Sequence, residues 1–131
     1  SLLEVLHKEA SKKNLRQKIL LEVNLGGEQS KSGISPEDVL KILQVAVDMP
    51  SLEVCGLMAL PPLGNEQESR AHFATLRGLL KQGQTWLQQN RPHAASSFVE
   101  LSMGTSHDYE WAVLEGATMV RVGTEIFGSR S

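Results

Sequence analysis

The sequence predicts an α/β protein in which four parallel strands alternate with helices. Three observations predict it. Four short apolar runs recur along the 131 residues, stretches with helical spacing of apolar positions separate them, and Pro, Gly or Asn marks the changes of period. Strict alternation of this kind gives parallel pairing, with crossovers that are right-handed in nearly all cases. Two architectures share the pattern: an open doubly wound sheet and a portion of a closed barrel. A barrel of eight strand–helix units takes about 250 residues, so this length suits part of one.

Each element follows from local signals. Leu2, Leu3, Val5 and Leu6 give an apolar face followed by KKNLRQK, a helix ending near Asn14. Ile19–Leu25 is a continuous apolar run of strand length, the kind covered on both faces. GGEQSKSG is a glycine-rich polar loop. Ser35 as a cap, Pro36 at the first helical position and the acids Glu37 and Asp38 open a helix that runs to Met49-Pro50. Leu52–Leu60 is the second strand, and Pro61-Pro62 forces a loop after it. Glu66–Gln89 is a long helix with Phe73, Leu76, Leu79, Leu80 and Trp86 as core positions, weakened by Gly78 and Gly83. Asn90-Arg91-Pro92 closes it. Ser97–Ser102 is the third strand, MGTS a turn, and His107–Glu115 a short helix with Gly116 as its C′ residue. Thr118–Gly123 is the fourth strand, and TEIFGS opens a last helical turn.

Composition removes several classes of function. Charged residues make up 21% and the net charge is −2, which lacks the basic footprint of a nucleic-acid binder. No apolar run approaches the roughly 18 residues of a membrane span, and no secretory signal opens the sequence. The single cysteine, Cys55, allows no internal disulfide and fits a reducing, cytoplasmic setting. In LEVCGLM it reads as a small buried hydrophobe. His7, His72, His93 and His107 have no metal-ligand spacing. Ser106, His107 and Asp108 are adjacent, but sequence neighbours on one helical turn do not line up for proton relay. Trp86, Trp111 and Phe127 read as packing groups.

Ligands of parallel α/β folds gather at the C-terminal ends of the strands. Here those ends carry Asn24 with the SKSG loop and its Lys31, Met58 with ALPP, then Ser102-Met103-Gly104-Thr105-Ser106, and Arg121-Val122-Gly123-Thr124. The last two place hydroxyls and a glycine where a strand gives way to a helix. The first turn of a helix has unpaired N–H groups and a positive dipole end, and glycine lets the backbone approach an anion. Two such turns on consecutive strands could converge on one phosphate; equally, Ser106 and Thr124 could cap their helices. Arg121, inside an apolar run, reads as a buried guanidinium. It needs either an acidic partner or a ligand in the mouth of the sheet. Lys31 alone reads as a solvated charge.

Three segments carry a resemblance: LEVNLGGEQSKSG (residues 21–33), GLMALPP (56–62) and ELSMGTSHDYEWAVLEGATMVRVGTEIFGSR (100–130). In order and motif they resemble the pyridoxal 5′-phosphate (PLP) homeostasis family, also called the proline-synthase co-transcribed family. The resemblance implies the C-terminal half of a (β/α)8 TIM-type barrel like the N-terminal domain of alanine racemases, with residues 1–131 as one partial PLP-binding domain. It implies PLP as cofactor, a role in binding, buffering or delivering PLP, and no catalysis. The phosphate residues it implies are Ser102, Ser106, Gly123 and Thr124, with Arg121 facing the pyridine nitrogen and Met103 and Gly104 also among the cofactor-binding residues. A permanent cation there keeps that nitrogen unprotonated and weakens the electron sink of amino-acid chemistry. Asn24, Met58 and Lys31 are further candidates. The family's Schiff-base lysine lies on a first strand in a V-S-K-T context, and none of the seven lysines here matches it. Thr105 stands where the family usually has Met, a departure expected to matter little.

The alternatives are a PLP-dependent racemase-like enzyme and a phosphate-ligand module without PLP. No tyrosine or lysine at a strand end suits a catalytic base. The expected partners are PLP alone, with no nucleic acid and no membrane. The resemblance implies a monomer for the longer protein, whereas half a barrel with two raw strand edges should self-associate or lose stability.

Overall fold

The computed structural model describes residues 2–13, 15–26 and 32–121. The elements are α1 (Leu2–Lys12), β1 (Gln17–Glu22), α2 (Val39–Ala46), β2 (Leu52–Met58), α3 (Glu66–Asn90), α4 (Pro92–Ala95), β3 (Glu100–Thr105), α5 (Tyr109–Leu114) and β4 (Met119–Arg121). A 3-10 turn, Pro36–Asp38, leads into α2. The four strands form one sheet in the order β1-β2-β3-β4, and every pair is parallel.

Sequential order and one-sided covering go together. A single core cluster takes Leu21 and Val23 from the first strand and its extension, Val54 and Leu57 from β2, and Leu101 and Met103 from β3. Against them lie Val39, Leu43 and Ala46 of α2, Phe73, Leu76, Leu80 and Leu87 of α3, and Ala112 of α5. Side chains alternate across a strand, so Leu20, Glu22, Glu53, Met58, Glu100 and Ser102 occupy the opposite face, where all are only part-buried; the register slips between Val54 and Gly56, leaving Cys55 as an extra residue in β2, which is why Val54 and Leu57 share the core face. A doubly wound sheet covers both faces and reverses its strand order. Among the described residues this sheet does neither.

α3 runs unbroken through both of its glycines. Its start is fixed by a capping box: the Asn65 side chain accepts the Glu68 N–H at 2.9 Å, and the Glu68 carboxylate accepts the Asn65 N–H at 3.0 Å. Gly83 is buried because Phe98 and Leu43 pack onto it; a Cβ there would meet Phe98 at 2.6 Å and Leu43 at 2.9 Å. Gly78 faces open space. α5 ends in a Schellman motif at Gly116, whose φ is +101°. Ala117 N–H donates to the Ala112 carbonyl at 2.9 Å, and Gly116 N–H to the Val113 carbonyl at 3.0 Å. Between α3 and the end of α5, the Glu115 carboxylate accepts from Arg70 Nε at 2.9 Å and from Arg77 Nη1 at 2.9 Å.

Several expectations need correction. β3 begins at Glu100 rather than Ser97 and runs through Thr105, so Met103-Gly104-Thr105 is strand and not turn. Phe98 belongs to the approach to the strand: it is held under Gly83, and its carbonyl accepts from the Gln84 side chain at 3.0 Å. β1 ends at Glu22, short of Leu25. Ser35 does not cap a backbone N–H; its hydroxyl donates to the Asp38 carboxylate at 3.0 Å. Cys55 is half-buried rather than buried, at the point where the β1–β2 register slips. Burial and then the nearby Glu53 carboxylate push its thiol up, which disfavours the reactive thiolate. Among the described residues no helix is long and apolar enough to cross a membrane.

Gly83→Ala should destabilise the chain by about 1–3 kcal/mol through overpacking, whereas Gly78→Ala should stabilise it by about 0.5–1 kcal/mol through helix propensity; denaturant midpoints measure both signs. The Arg70 guanidinium, with Arg77 beside it, holds Glu115 below the ordinary glutamate value of 4.5. A depressed folded value stabilises the protein above the unfolded value and is lost as pH falls through the folded one. The melting temperature of Glu115→Gln should therefore fall less steeply than that of the wild type on acidification below about pH 4.5.

Candidate anion site at the strand ends

The C-terminal ends of the strands carry two separate constructions. The first joins β1 and β2. The chain after β1 folds back alongside it: Ile34 N–H donates to the Glu22 carbonyl and Asn24 N–H to the Ile34 carbonyl, each at 2.8 Å. Gly33, at φ +115°, makes that return possible; a Cβ there would lie 3.0 Å from the Asn24 nitrogen. Gly26 meets Pro62 of the facing loop so closely that a Cβ would sit 2.9 Å from its ring. Between the loops lies a cleft of about 380 Å³, lined by Glu22, Asn24 and Ser32 on one side and by Leu60, Pro61, Pro62 and Leu63 on the other. The Ser32 hydroxyl donates to the Glu22 carboxylate at 3.2 Å.

The second construction follows β3. Gly104 is buried at φ +102°, and a Cβ there would meet the Ala112 Cβ at 2.6 Å. Only glycine lets α5 pack this close to the strand end. The next four residues, Thr105 to Asp108, form a turn in which Asp108 N–H donates to the Thr105 carbonyl at 3.2 Å. Asp108 Oδ1 accepts the Thr105 N–H at 2.7 Å and the Thr105 hydroxyl at 3.1 Å. The Thr105 hydroxyl oxygen accepts the His107 N–H at 3.2 Å. Asp108 is buried, with 7% of its surface exposed. Among the described residues, nothing takes the N–H or the hydroxyl of Ser106.

The predicted residues divide between these places. Met58 and Ser102 are paired in register, in a row that runs Glu22, Met58, Ser102, Met119 across all four strands. Ser102 is part-buried on the uncovered face, and its carbonyl accepts the Ala59 N–H at 3.0 Å. Gly104 and Ser106 lie at the turn. Met103 points the other way: its side chain is in the core at 2% exposure, so only its backbone can face a ligand. Asn24 lines the separate cleft. Arg121 pairs in register with Thr105 and is exposed rather than buried. Among the described residues β4 is an edge strand, and Met119 and Arg121 face away from the core that Val120 joins. Lys31, Gly123 and Thr124 lie outside the described residues, so the second of the two expected anion turns does too.

Sequence reasoning missed the part played by Thr105 and Asp108. The pattern Thr-Ser-His-Asp has the spacing of a capping box, [ST]-x-x-[DE], and is the signal that could have found it. Thr105 is therefore not a neutral departure from Met, because its hydroxyl joins the turn's hydrogen bonds. Among the described residues no group of three or more His, Cys, Asp or Glu could hold a metal.

Comparison with known proteins supplies the family. A model described as alanine racemase, N-terminal domain, matches residues 1–131. The pyridoxal phosphate homeostasis protein of Aquifex aeolicus is 41% identical over 131 residues, covering 99% of this chain and 54% of its own. That of Pseudomonas aeruginosa is 42% identical over 113 residues, covering 86% of this chain and 44% of its own. The chain spans about half the length of these curated relatives. Among solved structures, PipY of Synechococcus elongatus without PLP superposes with a TM-score of 0.83 at 37% identity, over 97% of this chain and 57% of that one. The PLP-bound form of PipY gives 0.78 at 34% identity, over 97% and 56%.

The turn geometry makes one prediction that needs no ligand. Gly104→Ala combines a left-handed backbone with a clash against Ala112, and should destabilise the fold by about 1–3 kcal/mol. Urea unfolding of the variant measures it.

Proposed function

The chain belongs to the alanine racemase N-terminal domain family, and from that premise we propose that it forms the phosphate-holding half of a PLP-binding barrel. Its role is non-catalytic, in PLP homeostasis. The barrel reading rests on four parallel strands in sequential order and, among the described residues, a core on one face only and two unpaired edges, β1 and β4. A sheet so built closes by adding strands at those edges. The half-length match to the relatives fits this, with the remaining strands, and the lysine that the resemblance places on the first of them, supplied by sequence outside these 131 residues.

The single observation that carries the ligand assignment is the turn after β3. It satisfies three of its own N–H groups internally and, among the described residues, leaves Ser106 N–H and hydroxyl for an incoming acceptor. The half-buried Ser102 hydroxyl lies three residues before Thr105, and Arg121 is in register with that same residue on the next strand. Hydroxyl and amide donors beside a guanidinium are the chemistry a phosphate monoester needs. Ser102, the Met103 and Gly104 backbone, Ser106 and Arg121 would hold PLP, together with Gly123 and Thr124. Asn24, Met58 and Lys31 would border it. PLP supplies an aldehyde that reacts with amines, and this chain's residues supply the grip and orientation. The relatives bear the name of homeostasis proteins, which supports a binding role over turnover.

Calorimetric titration tests this reading. PLP should bind, inorganic phosphate should compete with it, and pyridoxal, which lacks the phosphate, should bind far more weakly. Ser106→Ala and Arg121→Ala should each weaken PLP by about tenfold to a hundredfold, the loss expected for one hydrogen bond to a charged group. Phosphate binding with no preference for PLP would favour a phosphate-ligand module. Amino-acid turnover above a PLP-only blank would favour a racemase-like enzyme.

A further inference from the structure

We infer that Asp108 is the positioning residue of the anion site, holding the post-β3 turn in its ligand-ready shape while opposing the ligand with its own charge. The inference rests on the phosphate reading above and deepens it. Asp108 touches no ligand in this scheme. It acts through Thr105 and, through the turn, on Ser106.

The geometry separates the two effects. Asp108 Oδ1 takes both protons that Thr105 can offer, its N–H at 2.7 Å and its hydroxyl at 3.1 Å. With its proton committed to the carboxylate, the Thr105 hydroxyl oxygen is left to accept the His107 N–H at 3.2 Å. Asp108 N–H in turn closes onto the Thr105 carbonyl. Each bond restrains the others, and all lie in or beside a buried carboxylate, where hydrogen bonds to a charged acceptor are strong. The amide left over is that of Ser106, at the second position of the turn. Without the carboxylate, the Thr105 N–H and hydroxyl lose their acceptor, and the orientation of Ser106 is no longer fixed. A phosphate then has to order the turn as it binds, which costs affinity.

The charge works the other way. A carboxylate buried behind the turn repels a phosphate dianion on its outer side, and partial burial limits screening by salt. Shape and charge therefore contribute with opposite signs, and two substitutions separate them. Asp108→Ala removes both. Asp108→Asn keeps an oxygen acceptor at Oδ1 and removes the charge.

The test uses the full chain, PLP and inorganic phosphate as ligands, and hydrogen exchange of the Thr105 amide without ligand. Asp108→Ala should raise the Kd for PLP by about tenfold or more, as expected for losing a charged hydrogen-bond acceptor, and should lose protection of the Thr105 amide. Asp108→Asn should keep that protection and bind PLP several-fold tighter than the wild type, most clearly at low salt. A residue that only stabilises the fold predicts instead that both variants weaken binding in proportion to their loss of melting temperature. Asn binding more weakly than wild type overturns the inference, and so does Ala binding as wild type does. If Asp108→Ala does not fold, the Asn variant decides. A wild-type chain that binds neither PLP nor phosphate sinks the functional reading itself. That outcome is distinct from wild-type binding that ignores Asp108.

Discussion

Among the described residues, helices seal one face of this sheet and leave the other open, and that asymmetry governs where everything else can be. Leu21, Val54, Leu57, Leu101 and Met103 point into the sealed side and exclude water with α2, α3 and α5. The alternation that buries them sends Glu22, Met58 and Ser102 to the other side, in register across neighbouring strands. Among the described residues the polar groups on that face, Glu22 and Ser102, are only part-buried, which limits the penalty for placing them there. The core fixes where the strands end, and the strand ends fix where the turns present their donors.

Two close approaches transmit this order to the candidate site. Gly83 lets α3 settle onto Phe98 and Leu43, which sets the entry to β3. Gly104 lets α5 settle against the exit from β3. Between them the strand that carries Ser102 is held at both ends by helix contacts rather than by loops. The Arg70–Glu115–Arg77 cluster then ties the end of α5 to α3, next to the Schellman turn that leads into β4. A site on this scaffold is aimed by packed elements.

The order of elements was legible in the sequence because it depends on period and punctuation, which are local. The second strand and the long helix begin where the pattern puts them, at Leu52 and Glu66, and Gly116 ends α5 as a C′ glycine should. The start of β3 was not legible. Phe98 and Val99 look like strand residues, but Phe98 is claimed by a glycine on another element, a tertiary fact that no local window contains. The short helix α4, Pro92–Ala95, is too brief to have a period. Arg121 reads as buried from its apolar neighbours, yet the faces of an edge strand differ and its side chain takes the open one. The family motifs pointed to the turn after β3 as a phosphate grip. They did not point to Thr105, whose role became visible only when the Asp108 carboxylate was seen to take both of its protons.

We propose that the turn after β3, and not the cleft between the β1 and β2 loops, receives the phosphate. Amide chemical-shift mapping during a titration with PLP tests it most directly. The largest perturbations should fall on residues 104–108 and on Arg121, with Asn24, Gly26 and Ser32 less affected. Perturbations concentrated on Asn24, Gly26, Ser32 and Leu63, with the amides of Thr105 and Ser106 unmoved at saturation, would contradict it.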